Sequence, residues 1–109
     1  MSGTYDLKRS GEQYMFNLKA GNGQTILTSE RYAAKAGALG GIESVRKNSP
    51  VDERYQRKNA KDGSPFFTLS SANGEVLGRS EMYSSAAARD NGIESCKKNG
   101  PDGTVKDNT

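Results

Sequence analysis

One eight-residue phrase occurs twice in the chain, as GIESVRKN at positions 41–48 and as GIESCKKN at positions 92–99. Displacing the sequence on itself by 51 residues aligns Ser29–Pro50 with Ser80–Pro101, and 11 of the 22 positions are identical. Unrelated segments would agree at roughly one or two, so the chain is a tandem duplication. Whatever one half builds, the other must build as well. The register continues upstream, where Phe16, Leu18, Asn22 and Gly23 face Phe67, Leu69, Asn73 and Gly74. Tyr5 and Lys8 face Tyr55 and Lys58 only at a displacement of 50. That puts a one-residue insertion between the first two strands of the second copy, in the turn-rich stretch NAKDGSP at 59–65, because turns tolerate insertions.

Within a copy the hydrophobic period changes once. Tyr5 and Leu7 alternate in a short strand, and Tyr14, Phe16, Leu18 and Ala20 share one face of a second strand, with Met15, Asn17 and Lys19 on the other. Asn22-Gly23 and Asn73-Gly74 are hairpin turns, since both residues of such a pair accept positive φ at low cost. Gln24–Thr28 and Glu75–Arg79 then return as third strands. Beyond them Ala38, Ile42 and Val45, and again Ile93 and Cys96, recur at helical spacing. The first helix is predicted to start near Ala34 and the second to be capped by Ser85. Glu43 and Glu94 stand four residues before Lys47 and Lys98, an order that predicts helical ion pairs. Basic residues in the last turn suit the helix dipole. Asn48 and Asn99 are predicted in the left-handed conformation just past each helix, with Pro50 and Pro101 forbidding continuation. Glycine inside a helix costs about 1 kcal/mol against alanine, so Gly41 and Gly92 are predicted to be points where helix closely approaches sheet.

Each copy therefore reads β-β-β-α, and a chain of that size is marginal alone. The expected fold class is α+β. Two tandem β-β-β-α repeats, residues 1–51 and 52–103, form one antiparallel sheet with both helices packed on one face, a single domain. The linker SPVDERYQ is short, so the halves must touch. Residues 104–109, TVKDNT, are expected to be a flexible tail, with docking of Val105 on the sheet edge as the alternative. A duplication that already supplies a pseudo-dimer predicts a monomer.

The segments LKAGNGQTILTSERY, GIESVRKNSP, GEVLGRSEMY and GIESCKKNGPDGTVKDNT closely resemble the YegP-like family of small bacterial proteins, built from one or two copies of a short domain of unknown function. The resemblance covers nearly the whole chain. It implies tandem β3-α units in a single sheet, with the C-terminal helices exchanged between units. It implies no reaction and brings no catalytic or binding residues with it.

The residues themselves narrow the function classes. The 109 residues contain no histidine, which removes the commonest general base and the commonest metal ligand. One cysteine excludes an internal disulfide. Net charge is 16 − 13 = +3, too mild for a dedicated DNA binder. No apolar run suggests a signal peptide or a membrane span, so a cytoplasmic location is expected. Cys96 aligns with Val45 on the apolar helix stripe and reads as a small buried hydrophobe rather than a nucleophile. Glu30 and Glu81 follow matched serines. Local hydrogen bonding where the third strand leaves the sheet is favoured over a symmetric acid-base or cation-binding pair. The GNG and ANG turns lack the lysine and spacing of a phosphate loop.

Basic residues cluster at Lys8, Arg9, Arg46, Lys47, Arg54, Arg57, Lys58, Lys61, Lys97 and Lys98. A solvated surface is the favoured reading. The candidate binding patch is Arg46, Lys47, Lys97 and Lys98 at the helix ends, with Tyr14 and Phe66; those two aromatics and Met15 are placed near the open sheet face, where they could stack on bases. The expected function is a non-enzymatic binding or accessory module whose partner is an unknown protein or small ligand. Weak nucleic-acid binding through the helix-end cations is the second reading, and a carboxylate hydrolase using Glu30 or Glu81 the least supported. No catalytic residue, cofactor or metal is expected.

Overall fold

The computed structural model describes residues 3–109. The elements are β1 (Thr4–Ser10), β2 (Gln13–Lys19), β3 (Thr25–Ser29), α1 (Lys35–Asn48), β4 (Tyr55–Asn59), β5 (Pro65–Ser70), β6 (Val76–Arg79), α2 (Ala86–Asn99) and β7 (Thr104–Asp107), with one 3-10 turn at Asp52–Arg54. All seven strands lie in one sheet of order β4-β5-β6-β3-β2-β1-β7. Each half supplies three adjacent antiparallel strands, and the halves join where β3 meets β6.

The local chemistry follows the sequence closely. Gly23 and Gly74 both take φ +86 in their hairpin turns, and Asn22 and Asn73 each accept a backbone N–H two residues on. β1 and β2 connect through Gly11-Glu12, whereas β4 and β5 need the longer turn Lys61-Asp62-Gly63, closed by Ala60 and Ser64. The inserted residue therefore lies within NAKDGSP, as expected. Ser85 caps α2 by accepting from the Ala88 N–H at 3.0 Å, while Ala34 heads α1 without a side-chain cap.

Both helices cover one face of the sheet. Their apolar stripes, Ala38, Ile42 and Val45 on α1 and Ile93 and Cys96 on α2, join Tyr5, Leu7, Phe16, Leu18, Leu27, Phe67 and Leu69 in one buried cluster. An aromatic triplet repeats in each half. Tyr5 meets Phe16 edge-on at 5.8 Å and Phe16 stacks with Tyr32 at 6.4 Å; Tyr55, Phe67 and Tyr83 repeat this at 5.6 and 6.3 Å. Gly41 and Gly92 press onto these triplets. A Cβ on either would lie 2.7 Å from the Cζ of Tyr32 or Tyr83 and 3.2 Å from Phe16 or Phe67, inside van der Waals contact. The helices also reach across the halves. α1 touches β2, β5 and β6, and α2 touches β2, β3 and β5.

Positions 51 apart that touch one another mark a pseudo-two-fold axis. Thr28 pairs with Arg79 in the sheet. A Cβ on Gly78 would meet the Leu27 side chain at 3.0 Å, and one on Gly100 would meet the Ser49 Cβ at 2.6 Å. The axis runs through the β3–β6 seam and between the helix ends. There the Tyr5 hydroxyl donates to the Gly100 carbonyl at 2.6 Å and the Tyr55 hydroxyl to the Ser49 carbonyl at 2.7 Å.

Three expectations are corrected. Thr104–Asp107 is not a flexible tail but the edge strand β7, and it runs parallel to β1, so the sheet is not wholly antiparallel. α2 ends beside the start of β1 and delivers the chain along that strand's unpaired edge. Thr104 N–H donates to Gly3 at 3.0 Å, Asn108 N–H to Leu7 at 2.8 Å, and Lys35 pairs with Asp107 at 2.5 Å. Val105 takes the docked position held as the alternative. Asn48 and Asn99 are not left-handed: no residue other than glycine has positive φ among the described residues. Both remain helical and buried, each amide donating to the carbonyl four residues back at 2.8 Å, and the right-handed turn continues to Ser49 and Gly100. Finally, Glu43 and Glu94 pair with Arg46 and Lys97 three residues on, not with Lys47 and Lys98.

Candidate functional site

The repeated phrase has two faces. Gly41, Ile42 and Val45 point into the core, and the alternate set Ser44, Lys47 and Asn48 borders a cleft. The same split recurs in α2, with Ser95, Lys98 and Asn99 on the cleft side. One cleft, of about 540 Å³, lies between α1 and the β5–β6 turn and is completed by Val51, Arg54, Asn73 and Glu75. The other, of about 620 Å³, lies between α2 and the β2–β3 turn and is completed by Asn22, Asn91 and Glu94. Each cleft therefore joins the helix of one half to the hairpin of the other.

The clefts share a polar set: Ser44 and Ser95, Lys47 and Lys98, Asn48 and Asn99, Asn73 and Asn22. The asparagine amides are held against the helix backbone at 2.8 Å, which fixes their orientation. Lys47 and Lys98 are exposed and carry no ion pair among the described residues, which leaves both ammonium groups available. The two sites also differ. Arg54 donates to the Asn48 oxygen at 3.1 Å at the rim of the α1 cleft, where the position matched to it in the repeat is Val105.

The six-residue patch expected from the sequence does not converge. Arg46 is committed to structure: it lies over the Tyr5 ring at 5.5 Å, donates to the Gly103 carbonyl at 2.7 Å and pairs with Glu43. Lys97 is held by Asp52 at 2.7 Å and Glu94 at 3.0 Å, and those contacts raise the pKa of its ammonium group. Lys47 and Lys98 stand in separate clefts. Tyr14 faces the helix side of the sheet beneath Arg9, because it is paired with that residue and two positions from Phe16. Phe66 does lie on the open face, under Arg79.

The other candidates resolve individually. Cys96 is wholly buried, and burial pushes its thiol up to about 12, which keeps it protonated and unreactive. At the ends of β3 and β6 the serine hydroxyls do the local bonding: Ser29 accepts from Phe16 N–H and Ser80 from Phe67 N–H, both at 2.9 Å. The neighbouring Glu30 and Glu81 side chains are exposed and make no hydrogen bond or ion pair among the described residues. As site residues, the cleft serines were passed over because the repeated phrase reads first as a helix ending, and Asn22 and Asn73 because they read first as hairpin turns. The signal for them was identity of polar, non-core positions in both copies.

Known proteins agree with this architecture. The profile of a domain of unknown function, DUF1508, matches twice, over residues 10–56 and 60–107. A UPF0339 protein of Bordetella pertussis is 62% identical over 109 residues, all of this chain and 98% of the relative. The UPF0339 protein YegP of Escherichia coli is 52% identical over 110 residues and the full length of both chains. The solution structure of Escherichia coli yegP, described as a protein of unknown function, superposes with TM-score 0.94 at 52% identity, covering 100% of this chain and 95% of that one. The Shewanella oneidensis UPF0339 structure gives TM-score 0.91 at 55% identity over 98% and 92%. With both halves matched and full-length relatives above half identity, the chain belongs to the DUF1508 family and carries two copies of its domain.

Proposed function

We propose that the chain is a non-enzymatic binding module, working as a monomer in the cytoplasm, whose two matched clefts take one class of small polar ligand, one per cleft. The carrying observation is the retention of the same serine, lysine and two asparagines around both clefts, outside the apolar cluster. A hydroxyl, an ammonium and an oriented amide together suit a ligand with hydroxyl, amide or carboxylate groups. Support for a non-catalytic role comes from the lack of histidine and the inert thiol, which leave no base-and-nucleophile pair. A free buried cysteine suits a reducing compartment. We read the helices as exchanged between the repeats, since neither half holds a complete cleft by itself.

The test is amide chemical-shift mapping against amino acids, monosaccharides and nucleosides. A true ligand shifts Ser44, Asn48 and Asn73 together with Ser95, Asn99 and Asn22, and Lys47→Gln with Lys98→Gln abolishes both sets. A ligand panel that perturbs one cleft alone, or neither, refutes the matched-site reading. Nucleic-acid binding through the helix ends is disfavoured, because Arg46 and Lys97 are already engaged.

A further inference from the structure

The sheet face away from the helices has its own chemistry. Cross-strand pairing places Gln56, Thr68, Arg79, Thr28, Asn17 and Asp6 in one row across six consecutive strands. Within the row Asn17 donates to Thr28 at 2.9 Å and Thr68 to Gln56 at 2.7 Å. These amides and hydroxyls form a polar ladder with both donors and acceptors. Lys8, Lys19, Lys58 and Lys106 flank it, so the strand residues of this face carry five cations with Arg79 and a single carboxylate, Asp6. Asp6 is itself neutralised by Lys19 at 3.3 Å and bound by the Asn108 amide at 2.6 Å. Glu30 and Glu81 stand just beyond the ends of β3 and β6 and moderate the field without reversing it.

Arg79 is the centrepiece. It sits on the pseudo-two-fold axis opposite Thr28, so the face has one such arginine at its middle. Its guanidinium lies 5.4 Å above the buried ring of Phe66 while the residue remains exposed. With its Cζ 5.4 Å over an aromatic ring and the residue exposed, the planar guanidinium can serve as a stacking surface for another planar group.

We propose that this face docks single-stranded nucleic acid. A base stacks on Arg79 over Phe66, the lysines meet the phosphates, and the ladder side chains meet base edges. An acidic peptide would use the charge but not the planar platform, and a membrane would use neither the platform nor the ladder. The site is separate from the clefts and does not depend on them.

The experiment is fluorescence anisotropy with a labelled twelve-nucleotide oligouridylate at 50 mM salt. Binding should saturate and weaken roughly twentyfold by 200 mM salt, as release of counterions from about three phosphates requires. Arg79→Gln should weaken it about tenfold or more. Arg79→Lys, which keeps the charge and loses the plane, should weaken it about threefold, in the direction expected for loss of base stacking. Lys47→Gln with Lys98→Gln, two cations removed from the clefts, should change it less than twofold. The proposal is overturned by absence of saturation, by equal loss from the cleft variant, by an Arg79→Gln variant that binds normally, or by polyglutamate or phosphatidylserine vesicles binding as tightly. Unchanged amide spectra outside the substituted sites confirm that each variant is folded.

Discussion

The two halves of this molecule are most alike away from the axis that relates them and least alike on it. Off the axis, the aromatic triplets and the pressed glycines repeat almost without change. On the axis the matched positions are Leu27 and Gly78, Thr28 and Arg79, and Ser49 and Gly100. Each of these residues meets its own counterpart. Two copies of a leucine cannot occupy the space of one, so a duplicated chain gains by making one member large and the other small. A symmetric dimer of single domains has no such freedom. The difference teaches where fusion of two copies relaxes a constraint: along the axis, where identity would mean collision.

The largest effect should come from imposing symmetry there. Gly78→Leu places a second leucine against Leu27 and drives its Cβ toward the Thr28 carbonyl, 2.8 Å away. Overpacking against backbone should cost about 3 kcal/mol or more. Leu27→Gly alone should cost a similar amount by leaving a cavity. The double exchange, Leu27→Gly with Gly78→Leu, restores one large and one small residue and removes the overlap of the two leucines while keeping the approach to the Thr28 carbonyl, so it should recover part of the summed loss in guanidinium unfolding. Strict additivity of the two losses would show that the axis is not where the divergence acts.

How much of this was legible in the sequence follows from which interactions are local. Strands, Asn-Gly turns and helix stripes announce themselves within one copy, and Gly41 and Gly92 announced a close approach because a mid-helix glycine needs a reason. The parallel seating of Val105 did not, since a four-residue polar strand has no period to read and its partner β1 lies about a hundred residues away in sequence. Asn48 and Asn99 misled because asparagine suits both a left-handed end and an in-helix bond to the carbonyl four residues back. The clefts were hidden because each is made by elements from different copies, and only the fold says which hairpin faces which helix.

The next effect concerns the outer edges of the sheet. β1 is covered by β7, and β4, its counterpart, is the bare edge at the other end. Ending the chain after Gly103 would make the two edges alike, and should cost about 2 kcal/mol through exposure of half-buried Val105 and loss of the ladder bonds. The loss should also carry a pH signature. Lys35 and Thr109 hold the Asp107 carboxyl below its ordinary 3.8. For Asp6, partial burial pushes upward, but Asn108 and Lys19 outweigh it and hold that carboxyl low too. A depressed carboxylate contributes stability that is complete above its unfolded value and is lost as pH falls through the lower folded one. The full chain should therefore lose stability below about pH 3.8 more steeply than the truncated one. Parallel acid profiles for the two chains would assign the charges no part in seating β7.

The smallest effect tests the axis from the opposite direction. Ser49 is wholly buried, and its hydroxyl has no hydrogen-bond partner among the described residues. The matched position is Gly100, whose missing side chain is what admits Ser49 at all. The Ser49 carbonyl is already used by Tyr55, so the backbone there is satisfied and the hydroxyl alone bears the desolvation cost. Ser49→Ala keeps the Cβ that fills the junction and removes the unpaired oxygen, so it should stabilise the fold by about 1 kcal/mol, a rise in Tm of about 4 °C or more. Gly100→Ala fills the same junction from the other half and should lower Tm, because its Cβ meets the Ser49 Cβ at 2.6 Å. Opposite signs from two substitutions to the same residue, at positions the duplication makes equivalent, would establish that the halves diverged here to fit one another; a fall in Tm for both would mean that the Ser49 hydroxyl stabilises the junction and that the asymmetry at the helix ends has another cause.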